Sequence, residues 1–231
     1  SEKKKGAQNG EYLKLPDFDA FKKLYDDCGG LIRICDIAPE LPGAVEFIEK
    51  ASKLCTVSIG HTDADYDAAA AGVKAGATHL THLFNGMPSL HHRNPGVIPA
   101  ASESGKVYAE IICDGLHVHP AMVRLAFSLF PDKICIISDA LRCAGMPEGE
   151  YMLGGQKVYL KGTLARLADG TIAGSASTLA DCFKNALSFG ISQREVINAC
   201  TINPAKQLGA DDKVGSIRVG KFADFIRCDS D

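Results

Sequence analysis

The sequence predicts an α/β fold built on a parallel sheet or a (β/α) barrel, and three observations carry that expectation. Short β-branched runs alternate with helical patterns over residues 31–138, polar residues stand just past the ends of four of those runs, and all seven histidines fall between His61 and His119. Strands that alternate with helices pair in parallel, because each crossover helix returns the chain to the same end of the sheet.

The elements follow in order. Asp17 can cap a helix carrying Phe18, Phe21, Leu24, Tyr25 and Cys28 on one face, with Gly29-Gly30 as its stop. Leu31 to Cys35 reads as a strand, Leu41 to Leu54 as a helix with Pro42 in its first turn, and Thr56 to Ile59 as a buried strand. Ala64 to Ala75 is an alanine-rich helix and Ala77 to Thr81 a strand. Val107 to Cys113, Pro120 to Phe130 and Lys133 to Ser138 continue the series as strand, helix and strand, making five βα-type units.

The pattern then changes. Tyr151 to Ala173 alternates in short segments with turn signals at Gly154-Gly155 and Asp169-Gly170, as a β excursion from the main sheet would. Thr178 to Phe189 predicts a helix, and Ser192 with Glu195 forms a capping box for another. The tail from Val214 to Ile226 reads as a small hairpin in need of a partner sheet.

Composition bounds the function. With 46% of 231 residues apolar and 23% charged, the chain can bury a large core. A net charge of −3 leaves no basic surplus, so neither nucleic acid nor an anionic membrane is the expected partner, and any phosphate must be met locally. No apolar run approaches the ~18 residues of a membrane span, and Ser1 to Lys5 leads into no hydrophobic signal core, which predicts a soluble chain. Nine cysteines without a CxxC pair fit buried thiols in a reducing cytoplasm better than a thiolate zinc site.

The chemistry is concentrated at strand ends. His61 follows Thr56 to Ile59, His82 follows Ala77 to Thr81, His117 follows Val107 to Cys113, and Asp139 follows Lys133 to Ser138. In a (β/α) barrel those ends converge on one face, so groups distant in sequence can share one ion. Imidazoles and carboxylates suit zinc or iron, and metal-assisted hydrolysis follows as the reaction class. Any one of these histidines could equally be a satisfied structural residue; four in register favour the site. His79 lies in the strand run that precedes His82 and reads as packing or support for a ligand. His91, His92 and His119 read as loop residues and Asp114-Gly115 as a turn. The loop from Asn85 to Gly96 is long enough to bind substrate, and Arg93 could fork onto a phosphate.

Several segments carry a specific resemblance. Gly60-His61-Thr62, Thr81 to Met87, Asp114 to His117, Ser138-Asp139-Ala140 and Asp169 to Ser175 resemble, in order and spacing, the motifs of the N-acetylglucosamine-6-phosphate deacetylases. Thr201 to Ala205 and Gly220 to Asp224 are shared widely among amidohydrolases; the Asn85 to Arg93 run and Lys4 to Gln8 are more specific.

The resemblance implies an amidohydrolase barrel of the (β/α)8 TIM-like kind, represented here by strands 4 to 8. Residues 1–209 would form the barrel, with the β excursion at 147–173, and 210–231 part of a small β-sandwich domain. It implies hydrolysis of N-acetyl-D-glucosamine 6-phosphate to D-glucosamine 6-phosphate and acetate in amino sugar catabolism. The cofactor would be a divalent metal, zinc in the first place, with iron or another divalent ion as alternatives. His61 and His82 would be metal ligands, and Asp139 the base that activates water and later protonates the departing amine. His117 would hold the acetamide carbonyl, Asn85 and the Gly86 backbone the phosphate end, and Ile172, Ala173 and Gly174 the sugar pocket, with Ala7 beside it. Gln8 stands where some members have histidine. Arg93 would reach the site of a neighbouring subunit in a homodimer. The family's glutamate metal ligand, in a His-Leu-Glu-Gly-Pro-like motif, is expected upstream of Ser1, which would leave the barrel sheet with an open edge. The competing readings are another amidohydrolase acting on a cyclic amide or nucleobase, against which the Asn85 to Arg93 loop argues, and an inactive fragment serving as a scaffold.

Overall fold

A computed structural model describes residues 1–227 of the chain. Five parallel strands, β1 (Ile34–Ile37), β2 (Thr56–Ile59), β3 (His79–Leu80), β4 (Tyr108–Ile112) and β5 (Ile134–Ile137), lie side by side in chain order. The helices between them are α1 (Phe18–Asp27), which precedes β1, α2 (Ala44–Ala51), α3 (Tyr66–Ala75), α4 (Val97–Glu103) and α5 (Pro120–Leu129). Their apolar faces and the sheet share one core containing Ile48, Val57, Ile59, Leu80, Ile111 and Val123. Burying each such side chain stabilises the fold by roughly 1.5 to 3 kcal/mol.

Local chemistry explains most boundaries. The Asp17 carboxylate accepts the Ala20 N–H at 3.0 Å and starts α1, and Asp65 does the same for Ala68 at the head of α3. The aromatic face of α1 docks on α2, with Phe21 and Phe47 ring centroids 5.4 Å apart. Leu24, expected on that face, is exposed. Pro42 lies in a turn ahead of α2, because Gly43 at φ 80° breaks the backbone there and the helix begins only at Ala44. The first strand starts at Ile34, later than Leu31, because its ladder with β2 runs from Ile34↔Thr56 to Ile37↔Ile59. β3 shrinks to two residues for the same reason, since only Ser58↔His79 and Ile59↔Leu80 pair.

The excursion is an antiparallel sheet, β6 (Gly149–Leu153), β7 (Gln156–Lys161), β8 (Leu164–Leu167) and β9 (Ile172–Ser175), with its own small core of Cys143, Val158, Leu160, Ala165, Ala173 and Ala176. It extends to Ser175, past the expected end at 173. Helices α6 (Leu179–Ser188) and α7 (Gln193–Cys200) both begin with capping boxes, Thr178 with Asp181 and Ser192 with Glu195. A short α8 (Ile202–Gln207) follows, anchored where the Asn203 amide donates to the Ile134 carbonyl at 2.8 Å.

The hairpin expected from Val214 to Ile226 does not form. Residues 210–227 contain no strand; Phe222 N–H donates to Lys213 O at 2.8 Å and closes a loop instead. A strand needs a partner ladder, and among the described residues none pairs with this segment; Ile217, Val219, Phe222, Phe225 and Ile226 are left exposed. Residues 228–231 of the expected β-domain segment lie outside the described residues. Among the described residues, no helix is long and apolar enough to cross a membrane.

Candidate active site

His61, His82, His117 and Asp139 each stand just past the C-terminal end of a strand, β2, β3, β4 and β5 in turn, as the sequence predicts. Parallel pairing of those strands puts all four on one edge of the sheet. Three of the four share a second property. His61 (φ 47°), His82 (φ 34°) and Asp139 (φ 49°) are in the left-handed region, where side chains other than glycine are strained. After β2 and β3 these left-handed residues bring the His61 and His82 rings together.

The two histidines converge. His61 Nε2 and His82 Nε2 are 2.9 Å apart, with ring planes at 81°. Lys4, folded over the strand ends, accepts a hydrogen bond from His61 Nδ1 at 2.7 Å. A carbonyl can only accept, so His61 carries its proton on Nδ1 and presents a bare Nε2. Burial, reinforced by the adjacent His82 and opposed by the Lys4 carbonyl, holds His61 below the ordinary imidazole range and so favours the neutral, ligating form. His82 Nδ1 is buried without a hydrogen-bond partner. Gly86 (φ 57°) closes over both rings; a Cβ there would stand 3.2 Å from His61 Nδ1 and 3.5 Å from His82 Cε1.

Glu110 on β4 supports this pair and was not singled out from sequence. Its Oε2 accepts the His82 N–H at 3.4 Å and its Oε1 pairs with His79 Nε2 at 3.0 Å, while Leu83 N–H donates to its backbone carbonyl at 2.7 Å. His79 is buried and its Nδ1 meets Gln207 Oε1 at 3.2 Å, which links α8 to the ligand pair. The signal that could have found Glu110 is a carboxylate inside the otherwise apolar run Tyr108 to Ile112.

Asp139 completes the group. Burial raises its pKa, and His82, His117 and His61 oppose the rise by their charge while Glu110 adds to it. The excursion sheet fixes its backbone: Ser175 N–H donates to Asp139 O at 2.9 Å, and Leu141 N–H to Ser175 O at 2.8 Å. Gly174 (φ 86°) rests on the same carbonyl, where a Cβ would come within 3.1 Å.

The other expected residues are placed less uniformly. Asn85 Nδ2 donates to the carbonyls of His82 (3.3 Å) and Leu83 (3.2 Å), so its amide is engaged in its own turn. Arg93 is exposed, its N–H donating to His91 Nδ1 at 3.3 Å. On β9, Ala173 is buried in the excursion core and Ile172 faces outward. Ala7 packs against that core and its carbonyl accepts from Gln156 Nε2 at 2.8 Å. Gln8 lines a cavity of ≈ 380 Å³ beside His61, together with Lys14, Asp36, Phe47 and Gly60.

The donors present fit a divalent cation in kind, with two imidazole nitrogens converging at 2.9 Å. They fall short in number, since catalytic zinc usually takes three protein ligands, and no group of three or more His, Cys, Asp and Glu able to hold a metal occurs among the described residues.

Parallel βα units with imidazoles and a carboxyl gathered past the strand ends define the class, a βα-barrel protein with its polar groups at the strand ends. The chain belongs to the amidohydrolase family, whose model matches residues 38–231; that family is generally metal-dependent. It is 40% identical to an N-acetylglucosamine-6-phosphate deacetylase of Bacillus subtilis, covering all of this chain and 59% of the relative. It is 34% identical to an N-acetylgalactosamine-6-phosphate deacetylase of Escherichia coli O157:H7, covering 98% of this chain and 60% of the relative. A Mycobacterium smegmatis N-acetyl-D-glucosamine-6-phosphate deacetylase mutant, solved in complex with N-acetyl-D-glucosamine-6-phosphate, superposes with a TM-score of 0.92 at 33% identity, over 96% of this chain and 60% of that one. The five parallel strands are thus part of a TIM-type barrel, and the chain spans about three-fifths of the length of the relatives it matches.

Proposed function

We propose that the protein to which these residues belong hydrolyses N-acetyl-D-glucosamine 6-phosphate to D-glucosamine 6-phosphate and acetate. The observation that carries this reading is the convergence of His61, His82, His117 and Asp139 on one sheet edge, in a chain 40% identical to a deacetylase of that name. His61 and His82 hold a divalent cation, zinc in the first place, which when bound supplies Lewis acidity. Asp139 takes the proton of the attacking water and returns it to the departing amine; the raised pKa brings this carboxyl closer to that exchange. His117 holds the acetamide group, with Nε2 toward it.

The phosphate end is met by the Gly86 backbone, Asn85 and, from a second copy of the chain, Arg93. The sugar lies along Ile172, Ala173 and Gly174, with Ala7 beside it. Residues 1–209 form the barrel unit and 210–231 join a small β domain, which would cover the exposed apolar side chains of the tail. The eight described cysteines are all free, which fits a reducing cytoplasm.

Acetate release from N-acetylglucosamine 6-phosphate, N-acetylgalactosamine 6-phosphate and unphosphorylated N-acetylglucosamine, measured side by side with metal supplied, tests the reading. Preference for the first is expected. Hydrolysis of cyclic amides with none of the sugars would overturn it.

A further inference from the structure

His117 is held from behind by a carboxylate. Asp114 Oδ2 lies 2.6 Å from His117 Nδ1, while Oδ1 accepts the N–H groups of Leu116 and His117, each at 2.9 Å. The side chains are 0% and 6% exposed, so water cannot substitute for either partner. Burial would raise the Asp114 pKa, but the His117 ring and the amides of His117 and Leu116 overcome it and hold the group below its ordinary value. An ionised carboxylate has no proton to give, so the proton in the 2.6 Å bond belongs to His117 Nδ1.

We propose that Asp114 is a positioning residue that fixes His117 as its Nδ1–H tautomer and orientation, leaving a bare Nε2 as an acceptor for the substrate's acetamide N–H. The inference deepens the role assigned to His117 above and rests on that reading for its catalytic consequence, though not for its structural content. Three bonds to one carboxylate set the turn and the ring together. Rotating the ring would break the Nδ1 bond and leave a buried carboxylate oxygen unpaired, which is costly. The ring therefore keeps one orientation, with Nδ1 on Asp114 and Nε2 on the opposite side of the ring. The turn expected at Asp114-Gly115 is present, and the carboxylate that builds it also orients the histidine three residues on.

Asp114→Asn separates the two jobs. The amide oxygen can still accept the two backbone N–H groups, but the NH₂ facing Nδ1 is a donor, so His117 must move its proton to Nε2. Nitrogen-15 NMR of the histidine-labelled chain, with His117 assigned by its loss in His117→Gln, reads the tautomer directly. We expect Nδ1–H in the native chain and Nε2–H in Asp114→Asn, with an unchanged far-ultraviolet circular dichroism spectrum. Nε2–H already present in the native chain would overturn the proposal, and needs no variant to fold. So would a tautomer unmoved in Asp114→Asn. In protein that releases acetate, Asp114→Asn should lower kcat about 10- to 100-fold, the usual cost of losing a carboxylate behind a working histidine, with KM nearly unchanged. If the tautomer switches but His117→Gln keeps full kcat, the assignment of His117 fails and that of Asp114 stands.

Discussion

His61 Nε2 and His82 Nε2 meet at 2.9 Å although 21 residues separate them. Their rings cross at 81°, and Lys4 and Gly86 close around them. At that distance the two nitrogens either share a proton or hold a cation between them. That requirement leads to the first prediction.

The chain should bind zinc weakly, since two imidazoles supply fewer ligands than the three usual for a catalytic site. Titration against a chelating indicator should show a single weak site, lost in both His61→Ala and His82→Ala. Tight stoichiometric zinc that survives either substitution would mean that the ligands are elsewhere.

Asp139→Asn should raise stability at neutral pH and remove turnover. A carboxyl whose folded pKa is raised contributes stability below its unfolded value that is lost as pH rises through the folded value. Asn has no charge to desolvate and tolerates the φ of 49°. The melting temperature of the variant should therefore exceed that of the native chain at pH 7, and the gap should close below about pH 4. In active protein kcat should fall by about 10²- to 10⁴-fold, the usual worth of a general base. Equal melting temperatures across the range would show that Asp139 is not held in a desolvated state.

Gly86→Ala should damage both ring positions at once. Its left-handed backbone makes any side chain cost about 1 to 2 kcal/mol, and the new methyl would press on His61 Nδ1 from 3.2 Å. Thermal melting should reveal the loss, and zinc binding should weaken further. A variant as stable as the native chain would show that this loop yields easily.

Arg93→Ala should raise KM for the phosphorylated sugar and leave KM for unphosphorylated N-acetylglucosamine nearly unchanged. A charge-assisted contact to phosphate is worth about 1.5 to 3 kcal/mol and exists only when the phosphate does. Equal losses with both sugars would assign Arg93 to loop support.

Acid should weaken the start of α6. Bonds from the side chain and backbone N–H of Thr178 hold the Asp181 carboxylate below its ordinary range, outweighing a slight desolvation. A lowered folded pKa contributes stability above the unfolded value that is lost as pH falls through the folded one. Asp181→Ala should thus destabilise the chain at pH 7, by no more than about 1 kcal/mol for a cap this exposed. The difference should fade below about pH 4, and calorimetry at pH 3 and pH 7 checks it.

What the sequence determined by itself is local. Asp17, Asp65, Thr178 with Asp181 and Ser192 with Glu195 mark helix starts because a side-chain oxygen satisfies amides within three residues of itself. Thr56 to Ile59 and Ile134 to Ile137 are apolar and β-branched enough to be strands, and that pattern alone places His61 and Asp139 past strand ends. Helices α4 and α8 escaped because neither N-cap makes a side-chain bond and each carries a proline, Pro99 or Pro204, inside its first turn. The tertiary structure alone decided which nitrogen of His61 is free, through a carbonyl at Lys4, 57 positions away. It also set Glu110 under the amide of His82 and Ser175 against the carbonyl of Asp139. The strained φ angles at His61, His82 and Asp139 belong to the same level. Each depends on bonds between segments far apart in the chain, and only packing of the βα units brings such partners within hydrogen-bonding reach.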